Sequence, residues 1–130
     1  MKLFVTEQGW ELADALWRDA DELFTCRVTS VETQAALARA RRSGRLSAEE
    51  LDRARADFRE RWPRLAVVEL DEELAALAGE AAESHRLRAL DAMHLAAALS
   101  LGDSELVVAS WDGDLRRGVA EAGLAVAPAF

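Results

Sequence analysis

Apolar residues follow two different spacings along this chain, and together they predict strands that alternate with helices. Short apolar runs at residues 23–28, 65–70 and 106–109 are typical of strands, and 124–127 is a further candidate. The run at 106–109 is apolar without interruption, which favours a strand that is covered on both faces. Strands that alternate with helices indicate an α/β fold, with a mostly parallel central sheet flanked by helices.

Helical spacing and cap residues place the helices between these runs. Ser47 and Glu50 form a capping-box sequence, Asp71 is a candidate N-cap, and Gly44 follows a segment that it would end. Residues 2–5, Lys-Leu-Phe-Val, are assigned to a short opening helix. The other predicted helices cover residues 10–20, 30–42, 47–62, 71–81 and 90–101, with a last one that begins at Asp112.

The size and composition of the chain fit a single domain, residues 1–130, that is large enough to bury a core. The chain has 24 acidic and 16 basic residues, and its net charge of −8 argues against a long-range electrostatic grip on nucleic acid. The one cysteine, Cys26, cannot form an internal disulfide and is typical of an inert core thiol, which favours a reducing, cytoplasmic setting. No apolar run reaches the length of a membrane span, and the first residues do not resemble a signal peptide.

Asp91 is the acidic residue whose sequence setting is most informative. At helical spacing its neighbours are Leu87 and Leu95, and a carboxylate in an apolar stripe is costly to bury unless it is paired or binds a metal ion. The structural alternative is an ion pair with Arg86 or Arg88, or exposure at the edge of the helix.

Two further acids follow predicted strands and have structural alternatives as helix caps. Glu32 stands three residues after Thr29 in a capping-box sequence, so a hydrogen bond to the helix start would account for it. Asp112 comes shortly after the buried run and is an N-cap candidate, or part of an Asp-Gly-Asp turn with Asp114. Sites in α/β sheets form beyond the carboxyl ends of strands, which is where Glu32 and Asp112 are expected. Converging carboxylates are the ligands that Mg²⁺ and Mn²⁺ prefer.

Three acidic segments resemble those of PIN domains, specifically of VapC-like toxin ribonucleases. They read Ser-Val-Glu-Thr-Gln-Ala-Ala-Leu at 30–37, Leu-Asp-Ala-Met-His-Leu-Ala at 90–96 and Ser-Trp-Asp-Gly-Asp-Leu at 110–115. The resemblance implies a PIN-like three-layer fold and a Mg²⁺- or Mn²⁺-dependent endoribonuclease of a toxin–antitoxin pair. In the implied reaction a metal-activated water attacks an RNA phosphodiester and leaves a 5′-phosphate. The implied partners are RNA, a cognate antitoxin and a second copy of the chain.

The resemblance also implies roles for single residues. Glu32, Asp91 and Asp112 are the implied catalytic acids and metal ligands, and Asp114 is a fourth candidate ligand. Ser110 stands where the family often has a hydroxyl residue near the metal-bound water. The three main carboxylates are expected within roughly 4–8 Å of one another, as a site for one or two metal ions demands. Because clustered carboxylates repel each other, at least one should have a raised pKa without metal.

The opening strand of the family, which ends in Asp-Thr-Ser, has no counterpart when residues 2–5 are assigned to a helix. The chain is then expected to lack this strand and its metal-binding acid, and the strands at 23–28 and 106–109 should flank an unfilled position. A true start upstream of Met1 is the preferred explanation. The alternatives are an inactive remnant that binds an antitoxin or RNA, and a plain α/β interaction domain whose acids are caps.

Two other sets of residues have both functional and structural interpretations. His94 follows Asp91 by one helical turn and could orient its carboxylate, although a packed helical histidine is the simpler interpretation. A basic run near the end of the predicted helix 30–42 could contact RNA phosphates, with a solvated helix end as the alternative. Its members are Arg39, Arg41 and Arg42.

Overall fold

Strands and helices alternate along the computed structural model, which describes residues 2–5 and 10–129 and gives side chains from Ala13 to Ala129. The described strands are β1 (Lys2–Val5), β2 (Glu22–Cys26), β3 (Ala66–Val68), β4 (Leu106–Ala109) and β5 (Ala125–Ala127). The described helices are α1 (Trp10–Asp19), α2 (Val28–Arg42), α3 (Ala48–Arg61), α4 (Glu72–His85), α5 (Ala89–Ser100) and α6 (Gly113–Glu121), with a short 3-10 helix at Trp62–Arg64. None of these helices is both long enough and apolar enough to cross a membrane.

The described strands form one parallel sheet in the order β3-β2-β1-β4-β5. The chain starts at the centre, moves outward through β2 to β3, and then crosses back to add β4 and β5 on the other side. The direction of strand addition therefore reverses between β1 and β4. Open α/β sheets bind ligands beyond the carboxyl ends of the strands at such a point.

The opening segment is a strand, so its assignment to a helix is wrong. β1 fills the position that was expected to be empty, with Phe4 in register with Phe24 on one side and Val108 on the other. A run of four apolar residues has no periodicity that separates a buried strand from a helix. Its pairing with strands on both sides decides its conformation, and those strands lie far away in the sequence.

Side chains of β4 alternate between two apolar layers, as the pleat of a strand requires. Leu106 and Val108 belong to the larger layer, which contains buried residues of α4, α5 and α6. Ala109 belongs to the smaller layer, against which Val107 and Trp17 of α1 pack. The sheet therefore lies between two helical layers, and the predicted three-layer α/β fold is confirmed.

Most helix starts agree with the predicted caps. Ser47 and Glu50 form the capping box at the start of α3, and Asp71 and Asp112 each accept a hydrogen bond from a backbone N–H in the first turn of the helix that follows. The exception is α2, which begins at Val28 rather than at residue 30. This earlier start moves the acid at position 32 out of the first turn and leaves its side chain available for a distant partner.

Candidate active site

The candidate acids lie on elements that begin at the carboxyl edge of the sheet. β2 ends at Cys26 and leads into α2, which carries Glu32, while β4 ends at Ala109 and leads through Ser110 to Asp112. Cys26 itself is buried, and burial raises the pKa of its thiol, as expected for an inert core residue. The polar groups beyond these two strand ends therefore define the candidate site.

Asp91 lies in the first turn of α5, where it is partly buried. Burial raises the pKa of the Asp91 carboxyl, the negative charge of Asp112 raises it further, and His94 and Arg88 offset part of the increase. Asp114 also raises this pKa, with the smallest influence. A raised pKa was predicted from repulsion among carboxylates; the increase is confirmed, with burial as its larger cause.

The ion pair that would make Asp91 a structural residue is not formed. Among the side chains described from Ala13 to Ala129, Asp91 has no hydrogen-bond or ion-pair partner, and Arg88 instead lies 3.9 Å from Asp114. A partly buried carboxylate that is repelled by a second one, and that His94 and Arg88 compensate only in part, is unfavourable for the apo protein. A bound cation would relieve this cost.

Glu32 pairs with His94, and the capping box predicted for Glu32 does not form. Residue Arg27 precedes α2 without a side-chain capping hydrogen bond, and Glu32 lies beyond the first turn. His94 Nε2 lies 2.6 Å from Glu32 Oε1, and the histidine is only 3% exposed. Because a carboxylate oxygen accepts, Nε2–H is the donor. His94 therefore orients the carboxylate of Glu32. It is also a packed helical histidine, which was the simpler of the two interpretations of its sequence position.

Ser110 and Asp112 form a short turn that is held by hydrogen bonds from backbone N–H groups to their side chains. Asp112 Oδ1 accepts a hydrogen bond from Leu115 N at 3.0 Å, which confirms its role as an N-cap. The fully buried Ser110 accepts a hydrogen bond at Oγ from Asp112 N at 3.1 Å. The Ser110 hydroxyl thus holds the backbone of Asp112, while the second carboxylate oxygen of Asp112 is not used by the cap.

Arg116 stabilises this turn through hydrogen bonds to backbone carbonyls, and the sequence interpretation did not single it out. Its guanidinium donates to the carbonyl oxygens of Ser110 at 2.6 Å, Ala127 at 3.3 Å and Pro128 at 2.7 Å. These contacts join the ends of β4 and β5. These partners are backbone carbonyls, which leave no spacing signal in the sequence.

Two groups of predicted site residues are exposed to solvent. Asp114 is exposed, and its ion pair with Arg88 faces solvent. The three arginines of the basic run lie exposed in the last turn of α2, on the same helix as Glu32; they are Arg39, Arg41 and Arg42.

Comparison with known proteins identifies the family. The family model of the PIN domain matches residues 1–119, which is most of the chain. The chain belongs to the PIN-domain family. This PIN domain is 44% identical over 129 residues to "Ribonuclease VapC45" of Mycobacterium tuberculosis (strain CDC 1551 / Oshkosh), an alignment that covers 99% of this chain and 90% of that protein.

Solved structures share the same fold. FitAcB from Neisseria gonorrhoeae superposes with a TM-score of 0.70 at 20% identity, covering 97% of this PIN domain and 96% of that chain. VapBC2 from Rickettsia felis, bound to a DNA fragment from their promoter, superposes with a TM-score of 0.62 at 10% identity, covering 97% of each chain.

PIN-domain ribonucleases generally depend on a divalent metal ion, and the donor chemistry of this PIN domain fits one. Asp91 and Asp112 offer the carboxylate oxygens that hard cations prefer. Within the described residues, however, no three His, Cys, Asp or Glu side chains group closely enough to hold an ion by themselves. The predicted cluster of three carboxylates is therefore not preassembled, because Glu32 is held by His94 and Asp112 also serves as an N-cap.

Because residues 2–5 form a strand, the first acid of the family is to be sought directly after them. The strand is present, and the sequence after it reads Thr6-Glu7 in place of Asp-Thr-Ser. Residues 6–9 lie outside the described part of the chain.

Proposed function

We propose that this protein is a VapC-like endoribonuclease of a toxin–antitoxin pair that hydrolyses RNA phosphodiester bonds. Two observations support the proposal: membership of the PIN family with 44% identity to a VapC ribonuclease, and the partly buried Asp91, which feels the negative charge of Asp112 and forms no ion pair with a described side chain. The second observation carries the mechanism. It concerns two carboxylates from separate parts of the sequence whose mutual repulsion Arg88 and His94 offset only in part.

In this proposal Asp91 and Asp112 hold a divalent cation, Mg²⁺ or Mn²⁺, together with Glu32 and with Asp114 as a further ligand. The cation would activate a water, shield the phosphate oxygens and stabilise the leaving oxygen. His94 keeps Oε1 of Glu32 engaged, which directs the other carboxylate oxygen away from the histidine. Ser110 fixes the backbone of Asp112 and acts as a positioning residue.

The partners follow from the same proposal. RNA is the substrate, and Arg39, Arg41 and Arg42 contact its phosphates. A cognate antitoxin neutralises the acidic site with a basic side chain, which the net charge of −8 favours. A homodimer and a cytoplasmic location, where RNA is found, complete the proposal.

Cleavage of end-labelled RNA with Mg²⁺, with Mn²⁺ or with EDTA tests the proposed activity. Wild type should cleave only with metal and leave 5′-phosphate ends, and Asp91→Asn should reduce cleavage to background. Glu80→Gln, which neutralises an exposed carboxylate on α4, should cleave like wild type. Equal cleavage by wild type and Asp91→Asn would overturn the site, and no cleavage by wild type would favour the inactive binding module.

A further inference from the structure

Positive charge is concentrated in one stretch of this acidic chain. Residues 39–64, called the basic segment below, hold nine of the 16 basic residues and five of the 24 acidic residues. The segment therefore has a formal charge of +4 within a chain of −8. It comprises the last turn of α2, the connection that follows, α3 and the 3-10 helix.

Most of this charge is not neutralised by the protein itself. Six exposed arginines of the basic segment form no ion pair with any side chain described from Ala13 to Ala129, namely Arg39, Arg41, Arg42, Arg53, Arg55 and Arg59. Elsewhere, four arginines do have carboxylate partners: Arg18, Arg27, Arg88 and Arg117. Within the segment, Arg61 pairs with Asp57 at 3.1 Å and Asp14 at 3.3 Å. The six arginines thus offer their cationic groups to solvent, and only Arg53 among them interacts with a carboxylate whose pKa is shifted, that of Glu50.

Helix stability does not account for all of these positions. Cations in a last turn interact favourably with the helix dipole, which explains the arginines at the end of α2 and Arg59 near the end of α3. Arg53 interacts electrostatically with Glu50, one turn earlier on α3, so its position has a structural explanation. Arg55 lies in the middle of α3, where the dipole gives no such benefit. Arg55 and Arg59 are also four residues apart, a spacing at which like charges destabilise an isolated helix.

The helix α2 connects the acidic edge with the basic segment. Glu32 lies in its first half and the arginines lie in its last turn. At about 1.5 Å of rise per residue, Arg39 is about 10 Å and Arg42 about 15 Å along the helix axis from Glu32. A strand with one phosphate at the acidic edge could therefore place neighbouring phosphates at the basic segment.

We propose that the basic segment binds the sugar–phosphate backbone of single-stranded RNA beside the acidic site, an inference that rests on the proposed ribonuclease function. An acidic chain repels a polyanion at long range, so local cations next to the site are needed to retain the strand. Contacts of this kind go to phosphates and are independent of base sequence. The segment sets affinity, and recognition of a cleavage sequence lies elsewhere.

Binding of a fluorescent single-stranded RNA in EDTA, followed by anisotropy over a salt series, tests this inference without cleavage. The variant Arg42→Gln with Arg55→Gln removes two charges from the basic segment. The control Arg18→Gln with Arg86→Gln removes two exposed charges elsewhere. Each phosphate contact contributes about 0.7 to the slope of log affinity against log salt for single strands, so the first variant should lower the slope by about 1.4. The control should keep the slope of wild type.

The same two variants separate this inference from the ribonuclease activity. With metal, the basic-segment variant should raise KM for RNA several-fold and leave kcat near that of wild type, while the control changes neither. Metal-dependent cleavage by wild type, together with an unchanged slope in the variant, would overturn the inference and leave the activity standing. If the variant lowers the salt slope and wild type does not cleave RNA, the inference stands and the proposed ribonuclease activity is rejected.

Two other occupants of the basic segment would give different results. If the variant lowered the salt slope of the affinity for duplex DNA of equal length and left that for single-stranded RNA unchanged, the basic segment would be a DNA-binding surface. If sedimentation showed that only the basic-segment variant changed oligomeric state, with RNA affinity unchanged, the surface would be an interface between copies. Either result overturns the proposal.

Discussion

His94 Nε2 lies 2.6 Å from Glu32 Oε1, which joins α5 to α2 across 62 positions of sequence. Asp91 is one helical turn before His94, so this hydrogen bond ties two of the proposed metal-binding carboxylates to the same helix. His94 acts through Glu32 and is a positioning residue.

Replacing His94 tests that role. His94→Ala should lower both metal affinity and RNA cleavage by about 10–100-fold, the usual effect of losing a partner that orients a ligand. His94→Gln keeps an N–H donor at a similar reach and should recover most of the loss. Metal affinity is measured from the increase in melting temperature with Mg²⁺ or Mn²⁺. If the alanine and glutamine variants respond equally, orientation of Glu32 is not the function of His94.

The raised pKa of Asp91 predicts how the stability of the metal-free protein depends on pH. Burial and Asp112 make the folded state bind this proton more tightly than the unfolded state does. The stabilising contribution is therefore complete below the ordinary pKa of 3.8 and is lost as the pH rises through the raised value. In EDTA at neutral pH, Asp91→Asn should melt a few degrees above wild type, and this gain should disappear as the pH approaches 3.8. A constant difference at every pH would contradict the assignment.

With metal present, wild type should melt at a higher temperature than Asp91→Asn, the reverse of their order in EDTA. A ligand that binds only the folded state raises the melting temperature, so wild type should be stabilised by Mg²⁺ or Mn²⁺ and Asp91→Asn should respond weakly. Thermal melts over a metal titration measure the difference, with Glu80→Gln as the control for loss of a surface charge. An equal response of wild type and Asp91→Asn would show that Asp91 is not a ligand.

Arg116 and Arg117 form a matched pair for separating stability from activity. Arg116 binds carbonyl groups at the ends of β4 and β5, next to Ser110, whereas Arg117 binds the carbonyl of His85 at 2.9 Å at the end of α4. A lysine cannot bridge several carbonyls, and hydrogen bonds to charged groups contribute about 1.5–3 kcal/mol each. Both Arg116→Lys and Arg117→Lys should lower the free energy of unfolding. Below the melting temperature, Arg116→Lys alone should lower kcat, because it loosens the turn that carries Asp112.

The capping box of α3 gives a prediction for stability alone. Ser47 Oγ accepts a hydrogen bond from Glu50 N at 3.1 Å, and Glu50 Oε1 accepts one from Ser47 N at 3.0 Å. Ser47→Ala should destabilise the protein by about 0.5–2 kcal/mol in urea unfolding. Cleavage under native conditions should not change, and exposed Ser104→Ala should have little effect on either property.

Local patterns in the sequence were sufficient for much of the fold and for part of the site. The caps at Ser47, Asp71 and Asp112 depend on residues three positions apart, and all three were predicted correctly. The same local rule failed at Glu32, because a hydrogen bond from a buried histidine on another helix replaces the cap. No spacing rule relates positions that only folding brings together.

The opening strand shows a second limit of local patterns. Lys2–Val5 is too short for a period to distinguish strand from helix, and its environment is supplied by β2 and β4. Arg116 was missed for a related reason: its carbonyl partners belong to the ends of two strands, and backbone acceptors leave no signature in the sequence.

The central position of β1 determines when the protein can become active during its synthesis. Lys2 pairs with Leu106, so β1 leaves the ribosome long before one of the two strands that it pairs with. Until β4 has emerged, β1 has no neighbour on that side, and the turn with Ser110 and Asp112 does not yet exist. The acidic edge is therefore incomplete on a nascent chain until β4 and the turn after it have emerged, long after β1 has been made.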